Sequence, residues 1–355
     1  MTRRGTEAAP GRGAGKPAGR RAPVTTASPR PGALVQIVLK LLRLVAVLVV
    51  VGTLVFLSME LLPGGPAEAM LGVSATPDSI AALERQLGLD QRLLDRYLSW
   101  LGGVLRGDLG QSFRNGQDVS TIVADRLSVT IELVVAGQLI ALLMALPLAM
   151  ISANRRGSVL DRGVGLFVFS VLSTPHFVIG VVLIWLLSVN LGWLPATGYM
   201  PISAGVGTYL SGMIMPAVAL AAAPFAQYQR VLRADLIETN NREFMLVARA
   251  KGVSPLRTSF RHALRPSLLG LSTVVGITIG TSIGSSVVVE TLFGLPGLGA
   301  ELVSAVQARD YPEVQGIVLV VAAAFVVVNA IVDVLYSVID PRLRQRRRTR
   351  REALT

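Results

Sequence analysis

The chain has 355 residues, of which 52% are hydrophobic and 16% charged, short of the roughly 25% charged residues of a soluble globular domain. Its formal charge of +12 would suit a nucleic-acid partner, yet the excess sits in two tails: residues 1–32 hold seven Lys/Arg against Glu7, residues 341–355 hold seven Arg against Glu352, and the 20 basic and 20 acidic residues between them cancel. The absence of cysteine excludes disulfide scaffolds, thiolate zinc sites, iron–sulfur clusters and a cysteine nucleophile.

Residues 1–32, rich in Gly, Pro, Ala and Arg, cannot bury enough apolar surface to fold and are expected to form a disordered basic extension. Six apolar runs follow, each near the roughly 20 residues that cross about 30 Å of hydrocarbon as a helix. The first is uncharged from Leu44 to Met59. In the segment 61–126, Thr76-Pro77-Asp78 and Gly88 bracket a short helix from Pro77 to Leu87. Leu93, Leu94, Tyr97, Leu98, Leu101, Val104 and Leu105 then recur at the spacing of an amphipathic helix. The second run, Leu127 to Ile151, contains only Glu132, and the third, Gly163 to Leu191, contains no charge. The fourth, Tyr209 to Gln229, is uncharged but interrupted by Pro216 and Pro224. Leu268 to Val289 is uncharged, and Val314 to Ile339 carries Asp333 alone. The expected fold class is an all-α membrane protein, with six spanning helices in residues 33–340 and a basic tail at 341–355.

Lys and Arg are retained on the cytoplasmic side of short connections. The basic N-terminal segment, Arg155, Arg156 and Arg162, the link 230–266, and the cluster Arg344 to Arg351 are therefore expected inside, with both termini cytoplasmic. Link 192–208, which has no Lys or Arg, link 291–313 and the long segment 61–126 fall outside.

In the link 230–266, Arg242 to Lys251 reads as a helix that Gly252 can end, and Ser254-Pro255 supplies a new cap and first position. A bent pair of basic helices also describes a helix-turn-helix reader of DNA, but the fifth apolar run begins about one helix later and leaves no detached domain to enter a groove. No nucleic-acid partner is expected. The pair suits docking on a cytoplasmic protein and passing a rigid-body motion to the flanking helices.

Ala248-Arg249-Ala250-Lys251-Gly252, followed by His262-Ala263-Leu264-Arg265-Pro266, resembles the cytoplasmic coupling loop of binding-protein-dependent ABC importer permeases, in its peptide-permease version. Leu62-Pro63-Gly64-Gly65-Pro66, Arg106-Gly107-Asp108-Leu109-Gly110, Phe293 to Gly299 and Arg309-Asp310-Tyr311-Pro312 extend the resemblance, in order, over residues 35–342. The type it is most similar to is the B subunit of dipeptide/oligopeptide permeases. Two departures stand out: Leu246 occupies the position where the family-wide loop pattern has Glu, and Gly65 stands where an Asp is common.

The resemblance implies a type I importer permease in a bacterial inner membrane, pairing with a second homologous permease subunit. It further implies two cytoplasmic ATPase subunits that hold ATP and Mg, an external substrate-binding protein, and lipid around the helices. Ala248, Arg249, Ala250, Lys251, Gly252 and His262 would then contact the ATPases, and helix five would face the shared path. Di- or oligopeptides are the implied cargo, with nickel and glutathione as alternatives carried by similar permeases.

The chain itself offers no catalytic site and no cofactor site. It has no phosphate-binding GxxxxGK[ST] loop, and Pro17 breaks the one partial match. With only His176 and His262, no multi-histidine metal site is expected. A self-sufficient carrier would show inverted repeats or intramembrane charges along a path, and Asp333 alone does not supply them. His176, beside Pro175, reads as a polar group paired inside the bundle, with pore lining as the alternative. Asp333, at about 2.5–3.5 kcal/mol for a central carboxylate, reads with Asn329 one turn earlier as a polar contact to a neighbouring helix, or by its place near the inner end as a contact with water or an arginine, and these structural roles are favoured over a proton relay. Ser272, Gly276, Gly280 and Gly284 form a stripe of small residues that either packs against a helix or faces the path.

Overall fold

A computed structural model of the chain describes residues 33–243, 245 and 258–339, all helical or loop apart from one isolated bridge between Gln111 and Asp118. The chain divides after Arg43, and the described part of the first unit is the opening of one helix. That helix is α1 (Ala33–Leu61), and α2 (Pro66–Leu71), α3 (Pro77–Gln86) and α4 (Leu93–Leu105) follow. Next come α5 (Val119–Asn154), α6 (Val159–Ser173), α7 (His176–Leu183) and α8 (Val206–Asn240). The remainder is α9 (Leu264–Phe293), α10 (Leu298–Gln307) and α11 (Tyr311–Ile339).

Five of these helices are long and apolar enough to cross a membrane, or six spans if α6 and α7 are one broken span. That break corrects the single third helix expected from Gly163 to Leu191. α6 and the helix from His176 to Asn190 are bent by 103°. Pro175 has no N–H to donate and disfavours the helical region at the residue before it, and Thr174 is accordingly extended (φ −98°, ψ 124°). Pro147, Pro216 and Pro224 lie inside unbroken helices, so packing by neighbours decides which proline breaks a span. α8 also runs to Asn240, well past Gln229, leaving 241–263 as the link to α9.

α5 and α8 form the centre. Ala141, Ala145 and Ala149 recur every fourth residue on α5, all fully buried with Phe225, Tyr228 and Leu232 of α8 and Leu271 of α9. A second cluster nearer α10 joins Leu133, Met215, Ala219, Val289 and Phe293. In lipid the hydrophobic effect does not draw helices together, so close approach of small residues supplies the packing. At Gly137 an added Cβ would sit 3.4 Å from Leu220.

The segment after α1 folds back on it. Thr76 is the N-cap of α3, as the sequence pattern expects, and forms a reciprocal capping box with Ser79, while Gly88 turns the chain at φ 67°. α4 lays Tyr97 and Trp100 on Phe56, with ring centroids 5.3 and 5.8 Å away, and the hydroxyls of Tyr97 and Thr53 meet at 2.7 Å. Arg96 completes the contact with a two-pronged pair to Glu60, one prong at 3.0 Å.

Candidate functional site

α9 presents three faces. The first packs against α5 and α8 through Thr278, Ser282, Ser286 and Glu290, one every fourth residue, all buried. The Tyr228 hydroxyl donates to Oε1 of Gln138 and meets Oγ1 of Thr278, while Nε2 of Gln138 donates to Oγ of Ser282 at 2.9 Å. At the α10 end, Glu290 is wholly buried and accepts four hydrogen bonds. Oε1 takes the hydroxyls of Thr130 (2.8 Å) and Ser286 (2.9 Å), and Oε2 takes the backbone N–H groups of Gly299 (2.7 Å) and Ala300 (3.1 Å). Oγ1 of Thr130 in turn accepts from the N–H of Leu298 at 2.9 Å. The first three N–H groups of α10, which no residue of their own helix can satisfy, are thus held by side chains of α5 and α9. A Cβ on Gly297 would lie 2.4 Å from the Glu290 carboxyl and one on Gly299 2.4 Å from Val287 Cα, which is the physical content of this glycine cluster.

The second face meets α11. A Cβ on Gly276 would lie 2.1 Å from Val332, and one on Gly280 2.8 Å from Phe325 and 3.4 Å from Asn329. Asn329 donates to the Phe325 carbonyl of its own helix at 2.8 Å, and the side chain of Asp333 lies outside the described residues.

The third face is uncovered: Ile277, Thr281, Gly284, Val288 and Thr291 are exposed, and nothing lies within 4 Å of a Cβ built on Gly284. Its hydroxyls are satisfied within the helix, Thr281 by the Thr278 carbonyl (3.1 Å) and Ser285 by the Thr281 carbonyl (2.9 Å). The stripe Ser272, Gly276, Gly280, Gly284 therefore does not keep one environment. Each four-residue step overshoots a full turn by about 40°, so the row winds from Ser272, which bonds the Leu269 carbonyl at 2.8 Å, across the α11 contact to open space at Gly284. An open apolar pocket of about 370 Å³, lined by Phe177, Val287, Val288, Thr291, Leu292 and Val303, adjoins this face at the α10 end.

His176 begins α7 at the break, beside Phe177 with rings nearly perpendicular and 6.3 Å apart. Its Nε2 is buried with no hydrogen-bond partner among the described residues, while the ring hydrogen-bonds the Ser285 backbone of α9. At the other end of the bundle, Ala248, Arg249, Ala250, Lys251 and Gly252 fall outside the described residues, as does the proposed bend there. His262 is exposed in the π-helical turn Ser259–Ala263 that leads into α9.

Several contacts had no signal in the sequence. Arg233 of α8 grips Asp161 of α6 through two bonds of 2.8 Å, and Asp161 also accepts from the Gly157 N–H at 2.9 Å. Asp310 accepts from Ser112 Oγ at 2.6 Å and the Arg114 N–H at 3.1 Å, closing loop 108–118 onto the start of α11. Arg114 lies 3.0 Å from Glu301 and 3.7 Å from the buried Glu313. Arg309, the non-glycine residue in the left-handed region (φ 54°) among the described residues, donates to the Gly64 carbonyl. In the link before α8, burial pushes the Tyr199 phenol above its usual range, and its bond to Glu132 at 3.1 Å pushes it further. Each joins residues far apart in the chain, where periodicity carries no information.

Comparisons with known proteins agree on one group. Residues 145–345 match the family described as binding-protein-dependent transport system inner membrane component, and residues 34–134 match its N-terminal counterpart. The chain is 35% identical over 87% of its length to a probable peptide ABC transporter permease protein of Sinorhizobium fredii, covering 99% of that protein. It is 38% identical over 84% of its length to a putative peptide transport system permease protein of Brucella abortus, covering 96% of it. It is also 36% identical over 83% of its length to the di/tripeptide transport system permease protein DppB of Pseudomonas aeruginosa, covering 94% of that protein.

Proposed function

The chain belongs to the family of binding-protein-dependent transport system inner membrane components, and from that premise we propose that it forms half of the translocation path of an ATP-driven importer of di- and oligopeptides. It is a multi-pass membrane protein and a permease component, not itself catalytic. The observation that carries the reading is the uncovered face of α9. A helix packed on two sides by its own chain leaves Ile277, Thr281, Gly284, Val288 and Thr291 on a third side, and the small, polar middle of that face at Thr281, Gly284 and the half-buried Ser285 is better matched to a hydrated path shared with a second permease subunit than to lipid tails. The names carried by the relatives of Sinorhizobium, Brucella and Pseudomonas favour peptides as the cargo.

In this reading the chain lies in a bacterial cell membrane with both termini cytoplasmic. Two ATPase subunits, which hold ATP and Mg, dock on the link between α8 and α9, using Ala248 to Gly252 and His262. An external binding protein delivers the peptide. Closure of the ATPases on ATP moves that link, and α8 and α9 carry the motion to the path, giving alternating access. Replacing Gly252 with Val opposes the left-handed turn that the sequence predicts at that position; peptide uptake in reconstituted vesicles is expected to fall about tenfold or more while ATP hydrolysis continues. Unchanged uptake overturns the mechanism. Titrating the cognate binding protein with short peptides, nickel and glutathione tests the cargo, and binding of nickel or glutathione in place of peptides sinks the peptide assignment.

A further inference from the structure

The face of α9 that lines the path depends on the helix holding one rotational setting, because neighbouring residues are about 100° apart around the axis. Apolar packing fixes such a setting loosely in a membrane, where sliding one methyl-lined surface over another exposes nothing to water. Polar contacts fix it sharply, since a donor or acceptor turned away from its partner has no replacement. One such set sits near the middle of α5 and α9. The Tyr228 hydroxyl, fully buried, reaches Gln138 of α5 and Thr278 of α9, and the other end of the Gln138 amide reaches Ser282 one turn further along α9. Thr278 and Ser282 point about 110° around α9 from Thr281 and Gly284, on the adjacent, buried side. Tyr228 belongs to α8, the helix that enters the link 241–263, and α9 is the helix that leaves it.

We infer that Tyr228, with Gln138 as its bridge, is a positioning residue that locks the rotation of α9 to α8 and α5, so that motion of the 241–263 link reaches the path as a rigid-body movement with Thr281 and Gly284 kept towards the cargo. The transport part of this inference rests on the function proposed above; the rotational lock does not.

Tyr228→Phe keeps the ring and removes the hydroxyl. In vesicles holding the chain with its partner permease, both ATPases and the binding protein, peptide taken up per ATP hydrolysed is expected to fall about three- to tenfold, the scale of one membrane-buried hydrogen bond, at unchanged amounts of assembled complex. Thr278→Val should match it, and the double variant should be no worse than either alone, because both open the same network. A second readout is independent of cargo: in the cysteine-free chain, Gly284→Cys should react readily with a water-soluble maleimide and Ile279→Cys poorly, and Tyr228→Phe should narrow that difference. Uptake and hydrolysis falling together in proportion to assembled complex, or a labelling pattern unmoved by Tyr228→Phe, overturns the inference. A shifted pattern without ATP-dependent peptide uptake by the parent complex upholds the lock and removes the proposed function instead.

Discussion

A carboxylate in apolar surroundings persists only where donors replace the water it gave up. Glu290 has four, from three different elements, and answers the N-terminus of α10 with its charge. Glu290→Gln keeps the shape but turns an NH₂ group towards two hydroxyls or two backbone N–H groups and removes the charge. It is expected to cost roughly 1–3 kcal/mol, read as a lower thermal unfolding midpoint of the purified protein in detergent, with Thr130→Val costing less. In sequence Glu290 is a carboxylate near the end of an apolar run that asks for little explanation. Its partner Thr130 lies 160 residues away, and nothing in local spacing connects them. Tyr228, inside an apolar run, and Asp161, beside Arg162 in a basic link, are equally silent, because their value comes from what faces them.

At the level of elements, α9 shows how a sequence periodicity is legible while its meaning is not. The row of small residues from Ser272 to Gly284 is plain in the sequence, but a four-residue repeat winds around the helix, so its members serve different neighbours. Gly276→Ala drives a methyl into Val332 and is expected to destabilise by about 1–3 kcal/mol, whereas Gly284→Ala meets open space inside a helix and should stabilise by up to about 1 kcal/mol; paired unfolding curves of the two variants check the contrast. Equal losses would contradict the assigned faces. The third span teaches a similar lesson. Five of the apolar runs correspond to continuous helices with ends extended by a few to about a dozen residues, since hydropathy reports the lipid-facing stretch and not where hydrogen bonding stops. The run with Pro175 bends by 103°, while α8 accommodates two prolines. Proline marks where a helix can break, and neighbouring helices determine whether it does. α10 was missed altogether because its ten residues fall within what hydropathy presents as a link.

For the molecule as a whole, composition and the order of runs sufficed for the all-α membrane class, and the separated motifs sufficed for the family. The internal fastening did not show, since the clamps that join distant segments pair residues of ordinary type. Arg233 to Asp161 ties the start of α6 to the end of α8, Glu290 ties α9 and α5 to α10, and Asp310 ties loop 108–118 to α11. Polar bonds at the ends and middle of the bundle, with alanine and glycine contacts between, join helices far apart in the chain. One of these fasteners also makes a short helix conditional on distant pairing. Because the opening turn of α10 has its N–H groups satisfied by Thr130 and Glu290, that turn is complete only after α5 and α9, synthesised far apart, have found each other. The short helix therefore has its opening turn satisfied only by a bundle in which α5 and α9 are correctly paired.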